Sequence, residues 1–250
     1  MIAKIQIKRD NLIKILDSLH EVSQAADDQP IDIHLLANED NSIKIYARHI
    51  SSIQVLHELR DDNSDIDIEV AENARFSFGS QTLRSLIKGA DVDRVELRFD
   101  RDQFEIEIME SWFATPTTFT LFLISESEFQ EARSLHSSKE IGSLERPPLR
   151  KNLNMMGKIS NVVELQHDDG ELWISVSDMV DGKGEVMENI YSDDLQDFEY
   201  RYAIDPVHSF LKEMNSHEID LSIGNEGVLK LESKRSGITS HMIIAPRVKE

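Results

Sequence analysis

Positively charged side chains recur four residues apart in this sequence, as Arg84 with Lys88 and His208 with Lys212. Each pair lies in a stretch whose apolar residues return every three or four positions, so both charges share one helix face. A third such stretch shows Arg150, Lys151 and Lys158 with Asn154 between them, and a fourth offers Lys14, with Asp17 and Glu21 nearby. Lysines and arginines so spaced contact phosphate groups as positioning charges, without reading sequence. One basic helix face is an ordinary solvated surface. The same sign on three of four helices, in a chain of net charge −20, suggests a common surface that meets a polyanion. No aromatic residue shares these faces, so stacking on single-stranded bases is not indicated.

Other candidate chemistry is weak. His167 to Gly170, "HDDG", could suggest a metal or acid–base cluster, but Asp-Gly is explained by a hairpin turn. "GKG" at Gly182 lacks the strand–loop–helix setting and the Lys-Ser/Thr ending of a phosphate loop. No serine or histidine carries a nucleophile signature. His20, His34, His57, His136 and His241 are scattered, as surface or satisfied positions would be. Without cysteine there is no disulfide framework and no thiolate zinc site. No catalytic residue, metal or cofactor is expected. No run approaches a membrane span and the N-terminus lacks a signal pattern, so a cytoplasmic protein without a membrane partner is expected. The 250 residues, with 27 Lys+Arg against 47 Asp+Glu, suffice for two domains. That acidity, taken alone, argues against nucleic acid.

The elements that must place the cations are repeated. "LIKILDSLHEVS" from Leu12 aligns without gaps on "LRKNLNMMGKIS" from Leu149, and "TLRSLIKGADVDRVELRF" from Thr82 on "PVHSFLKEMNSHEIDLSI" from Pro206. Both matches come in the same order, each with its downstream segment in step, which points to a duplication. The four aligned segments read as helices: Asp10 caps the first, Gln81 to Ala90 forms the second, and Asp205-Pro206 starts the last. Most of the remainder alternates with period two, with "HDDGEL" and "DGKGEV" as hairpin turns. The expected class is α+β: two domains, 1–124 and 139–250, each with an antiparallel sheet and two helices on one face, joined by a polar linker, 125–138. The last apolar run, Met242 to Ile244, must stop at Pro246, which has no N–H to give.

"HMIIAPR" at the C-terminus, "RHISSIQV" at Arg48 to Val55, "LRSLIKGA", "KISNVVELQ" and "PVHSFLKEM" together resemble, in order, the DNA sliding clamps of the proliferating-cell-nuclear-antigen family. The resemblance covers essentially the whole chain. It implies a ring of typically three identical subunits around sequence-independent double-stranded DNA, with helices lining the hole and an ATP-dependent loader to open it. It also implies that DNA polymerases and other proteins dock a short peptide in a groove bordered by His49, Ile50, Leu123, Ile124, Val228, Ile243, Ala245, Pro246 and Arg247. Subunits would join "TTFTLF" to "EVMENI". Val228 stands where the family usually has proline, and Ile243 where an aromatic is often found. The alternative is a clamp-like scaffold, monomeric or hetero-oligomeric, that does not encircle DNA alone.

Overall fold

Strict alternation of apolar and polar residues makes half-buried strands, and this chain is built mostly of them. The computed structural model describes residues 1–27, 32–48, 53–62, 65–101, 103–108, 117–124, 131–132, 138–178, 182–189 and 195–247, without the side chains of 21–27 and 187–189. The first half runs β1 (Ala3–Lys8), α1 (Arg9–Asp27), β2 (Asp32–Asn38), β3 (Ser42–Arg48), β4 (Ile53–Arg60), β5 (Ile66–Val70), β6 (Ala74–Gly79), α2 (Ser80–Gly89), β7 (Arg94–Phe99), β8 (Gln103–Ile108) and β9 (Thr117–Phe122). The second runs β10 (Lys139–Glu145), α3 (Arg146–Met156), β11 (Val162–Asp168), β12 (Glu171–Asp178), β13 (Gly182–Asn189), β14 (Phe198–Ala203), α4 (Ile204–Glu213), β15 (Glu218–Ile223), β16 (Leu229–Arg235) and β17 (Ile238–Ile244).

Three antiparallel sheets result, ordered β5-β1-β7-β8-β9, β10-β15-β16-β17-β4-β3-β2-β6 and β13-β12-β11-β14. The duplication is visible in this order. Strands β1, β7, β8 and β9 of one half match β10, β15, β16 and β17 of the other, and β4-β3-β2-β6 matches β13-β12-β11-β14. The two halves are also joined through their sheets. β17 pairs with β4, Ile238 opposite Leu59 and Ile244 opposite Ile53, so the middle sheet runs unbroken across the halves. Last-strand and first-half residues share ladder hydrogen bonds there, which no local pattern announces.

The helices form one contiguous layer, α2 against α1, α1 against α4, and α4 against α3. Their apolar stripes are buried as spaced: Leu12, Ile15, Leu16 and Leu19; Leu83 and Ile87; Leu149, Leu153 and Met156; Val207, Phe210, Leu211 and Met214. Ile159 lies past the end of α3 and is half-buried. In the first half, Phe76, Phe78, Phe99 and Phe104 knit the sheets together, with Phe78 and Phe104 centroids 4.8 Å apart. Such pairs add about 0.5–1.5 kcal/mol each beyond area burial.

Local chemistry accounts for the ends. Pro147 and Pro148 lie in the first turn of α3, where a missing N–H costs nothing. Asp10 is not a cap but sits within the first turn of α1, which begins at Arg9; its carboxylate still faces the positive end of the helix. Asp169 and Gly170 take φ of 48° and 84°, making "HDDG" the tight turn between β11 and β12. "GKG" differs from expectation: Gly182 to Gly184 pair with Asp178 to Val176 and belong to β13 itself. Strand β17 ends at Ile244, just before Ala245 and Pro246.

Candidate nucleic-acid interface and partner groove

Two arginines that sequence reasoning passed over hold the helix layer together. Arg9 donates from Nε to the Ile87 carbonyl at 3.0 Å and from Nη2 to the Lys88 carbonyl at 2.9 Å, closing the C-terminal end of α2. Arg146 does the same for α4, Nε to the Ser216 carbonyl at 2.7 Å and Nη1 to Leu211 at 3.0 Å. A cation placed against the last carbonyls of a helix satisfies orphan acceptors and meets the negative end of the dipole. The signal was present: Arg9 and Arg146 stand 137 positions apart, the same offset as Leu12 and Leu149.

On this frame sit the predicted cations. Arg84 and Lys88 project from α2 beside Asp17 of α1, with Arg84 Nε 2.5 Å and Lys88 Nζ 2.8 Å from one carboxylate oxygen. Lys14 is half-buried and donates to the Asn215 side chain at 3.1 Å, tying α1 to the end of α4. His208 and Lys212 lie on α4, where Lys212 Nζ is 3.4 Å from Glu213. Arg150 and Lys151 lie on α3 and Lys158 in the turn behind it, and none has a described carboxylate at ion-pair distance. The helix layer is therefore not evenly basic. One acid offsets much of the α2 charge, while α3 and its following turn keep theirs.

The opposite side of the middle sheet carries the apolar candidates. Ile243 lies in a row with Lys230 on β16, Gln54 on β4 and Arg48 on β3. Val228, just ahead of β16, Ala245 and Pro246 are half-buried at the same end of the sheet. These four form one patch. Leu123 and Ile124 do not join it: the Ile124 N–H bonds the Ser77 carbonyl on β6 at 2.7 Å, four strand positions from β17, or about 19 Å. Arg247 crosses to β14, its N–H 2.7 Å from the Arg201 carbonyl. His49 and Ile50 lie outside the described residues.

Three histidines, His57, His34 and His167, are packed into the fold. His57 is buried at the junction of the halves, between Ser18 of α1 (2.7 Å from Nε2) and Ser240 of β17 (2.8 Å from Nδ1). Ser18 spends its own proton on the Ile15 carbonyl, so Nε2 donates to Ser18 and Nδ1 accepts from Ser240. Burial, then the neighbouring His241, depress the imidazole to about 3. His34 bonds Ser77 at 2.7 Å, and His167 stacks on Phe198. Among the described residues, no group of histidines and carboxylates could hold a metal ion.

No protein-family model matches this chain. No curated protein matches it either. Among solved structures it is similar, over all of both chains, to one described as "C-terminal region of FEN-1 bound to A. fulgidus PCNA", with a TM-score of 0.80 at 13% identity. A likeness at that identity is a statement about backbone architecture. With its duplicated halves, helix layer and matching strand order, the chain has the α+β fold of a PCNA-like clamp.

Proposed function

We propose that this protein is a DNA sliding clamp that closes head-to-tail into a ring around duplex DNA and tethers replication and repair proteins. The observation that carries this reading is the junction between its own halves. β17 joins β4 by an antiparallel ladder, and the strands in the equivalent places, β9 in one half and β13 in the other, are edges of their sheets. Pairing β9 of one copy with β13 of the next repeats that internal junction, and a heterologous contact that closes makes a ring. It would also cover edges that otherwise invite aggregation. The resemblance implies three copies.

The helix layer would then line the hole. Its few cations suit a sliding contact, which must be weak and blind to sequence. Topology retains the protein on DNA and no chemistry is done. The C-terminal region of FEN-1 is the ligand of the similar A. fulgidus protein, and the Val228, Ile243, Ala245 and Pro246 patch is our candidate for an equivalent short peptide. Polymerase tethering and an ATP-dependent loader follow from the resemblance.

The test is retention. Loaded onto nicked circular DNA, the protein should stay bound in high salt and leave when the circle is cut. Equal loss before and after cutting would reject encirclement and favour the scaffold reading.

A further inference from the structure

The two halves bear the same face differently. In each, the chain leaving the last strand bonds the strand ahead of the second helix: Ile124 N–H to the Ser77 carbonyl, and Arg247 N–H to the Arg201 carbonyl, both at 2.7 Å. Ser77 and Arg201 are 124 positions apart, the offset of the Thr82–Pro206 repeat. On the side away from the helices, the ladder row Ser77–His34–Tyr46 of the first half therefore corresponds to Arg201–Glu164–Ser175 of the second.

In the first half that row is covered by the protein's own chain. His34, Tyr46 and Ser77 are 4%, 0% and 2% exposed, though they point away from the helices. Over them lie Glu131 and Ala132 of the segment between β9 and β10. Arg48 donates to the Glu131 carbonyl at 2.7 Å, Arg75 pairs with its carboxylate at 2.5 Å, and Tyr46 meets the Ala132 backbone. A glutamate and the residue after it are held by two arginines and a hydroxyl.

In the second half, the side chains of Arg201 and Glu164 are 43% and 24% exposed. They open onto a cavity of about 570 Å³ bordered by Ser160, Ser175, Ser177 and Arg247. Among the described residues Glu164 engages Arg201 through Nε, at 2.8 Å, and Arg201 and the exposed Arg247 line the same space. Hydroxyls of the serines suit peptide carbonyls and amides. Two guanidiniums on one wall suit a carboxylate.

We propose that this face of the second half binds an acidic segment of a partner protein, in the way the first half binds its own Glu131–Ala132. The site adjoins the Ile243 patch only through Arg247, which follows Pro246, and does not rest on the ring.

Titrating the full-length protein with the capped peptide Gly-Ala-Glu-Ala-Glu-Gly, and with its glutamine counterpart, tests it by NMR. Saturable shifts of the Arg201 and Arg247 Nε–H signals and of the Ser160, Ser175 and Ser177 amides are expected with the glutamate peptide alone. Arg201→Gln, and independently Arg247→Gln, should weaken binding about tenfold. Ile243→Asp should leave it unchanged, whatever the subunit number. No saturable shift at millimolar peptide, equal shifts with the glutamine peptide, or the same shifts with free glutamate would each overturn the proposal. So would displacement of the peptide by a single-stranded oligonucleotide.

Discussion

At the scale of single residues, burial decides what charged and polar groups can do. His57 is fully buried and neutral in the folded protein, while the unfolded chain takes up a proton near the ordinary value of 6.5. The folded value is depressed to about 3, so the neutral form's advantage is complete above 6.5 and is lost as pH falls toward 3. Between pH 6.5 and 4 we expect this one group to remove about 3 kcal/mol of stability. Urea titrations at both pH values should show the drop in the native protein and a smaller one in His57→Gln; equal drops would refute it. Ile243 offers the opposite case, an apolar side chain left half-buried on the sheet face. Ile243→Asp should weaken a clamp-binding peptide at least about tenfold by calorimetry, with unchanged affinity rejecting the patch.

At the scale of elements, charges four apart on a helix give a direction but not a net field. Asp17 reaches both Arg84 and Lys88 from the neighbouring helix, so α2 is a weaker phosphate contact than its own sequence implies. The cations of α3 and its following turn have no such partner among the described residues. If the helix layer meets DNA, the salt dependence of affinity for a short linear duplex should flatten by about two units in Lys151→Gln/Lys158→Gln and by less than one in Lys88→Gln. Asp17→Asn should strengthen that affinity, measured by dissociation from the duplex at rising salt. The reverse order of effects would place the contact on α2.

At the scale of the whole molecule, the free edges matter most. Phe122 on β9 is 84% exposed, unusual for a large apolar side chain. Pairing of β9 with a second copy would cover it. If copies join along β9, Phe122→Glu should shift the light-scattering mass from a closed oligomer to a monomer without loss of cooperative unfolding; an oligomer of unchanged mass would place the joint elsewhere.

Much of this architecture is legible in the chain alone. The alternation of "RVELRF", "ELWISVS" and "EIDLSI", and the helical spacing around Leu16, Ile87, Leu153 and Leu211, follow from burying one face of each element, a demand local enough to mark every few residues. The gapless matches from Leu12 to Leu149 and from Thr82 to Pro206 expose the duplication, and Pro246 the stop of the last strand. What tertiary structure alone decided are contacts between distant residues: β17 laid against β4, Asp17 turned onto Arg84 and Lys88, and His57 closed between Ser18 and Ser240. Leu123 and Ile124 go to β6 rather than beside Ile243 for the same reason. A strand's pattern states which side it hides, whereas its neighbour is chosen by ladder hydrogen bonds and packing summed over the whole fold.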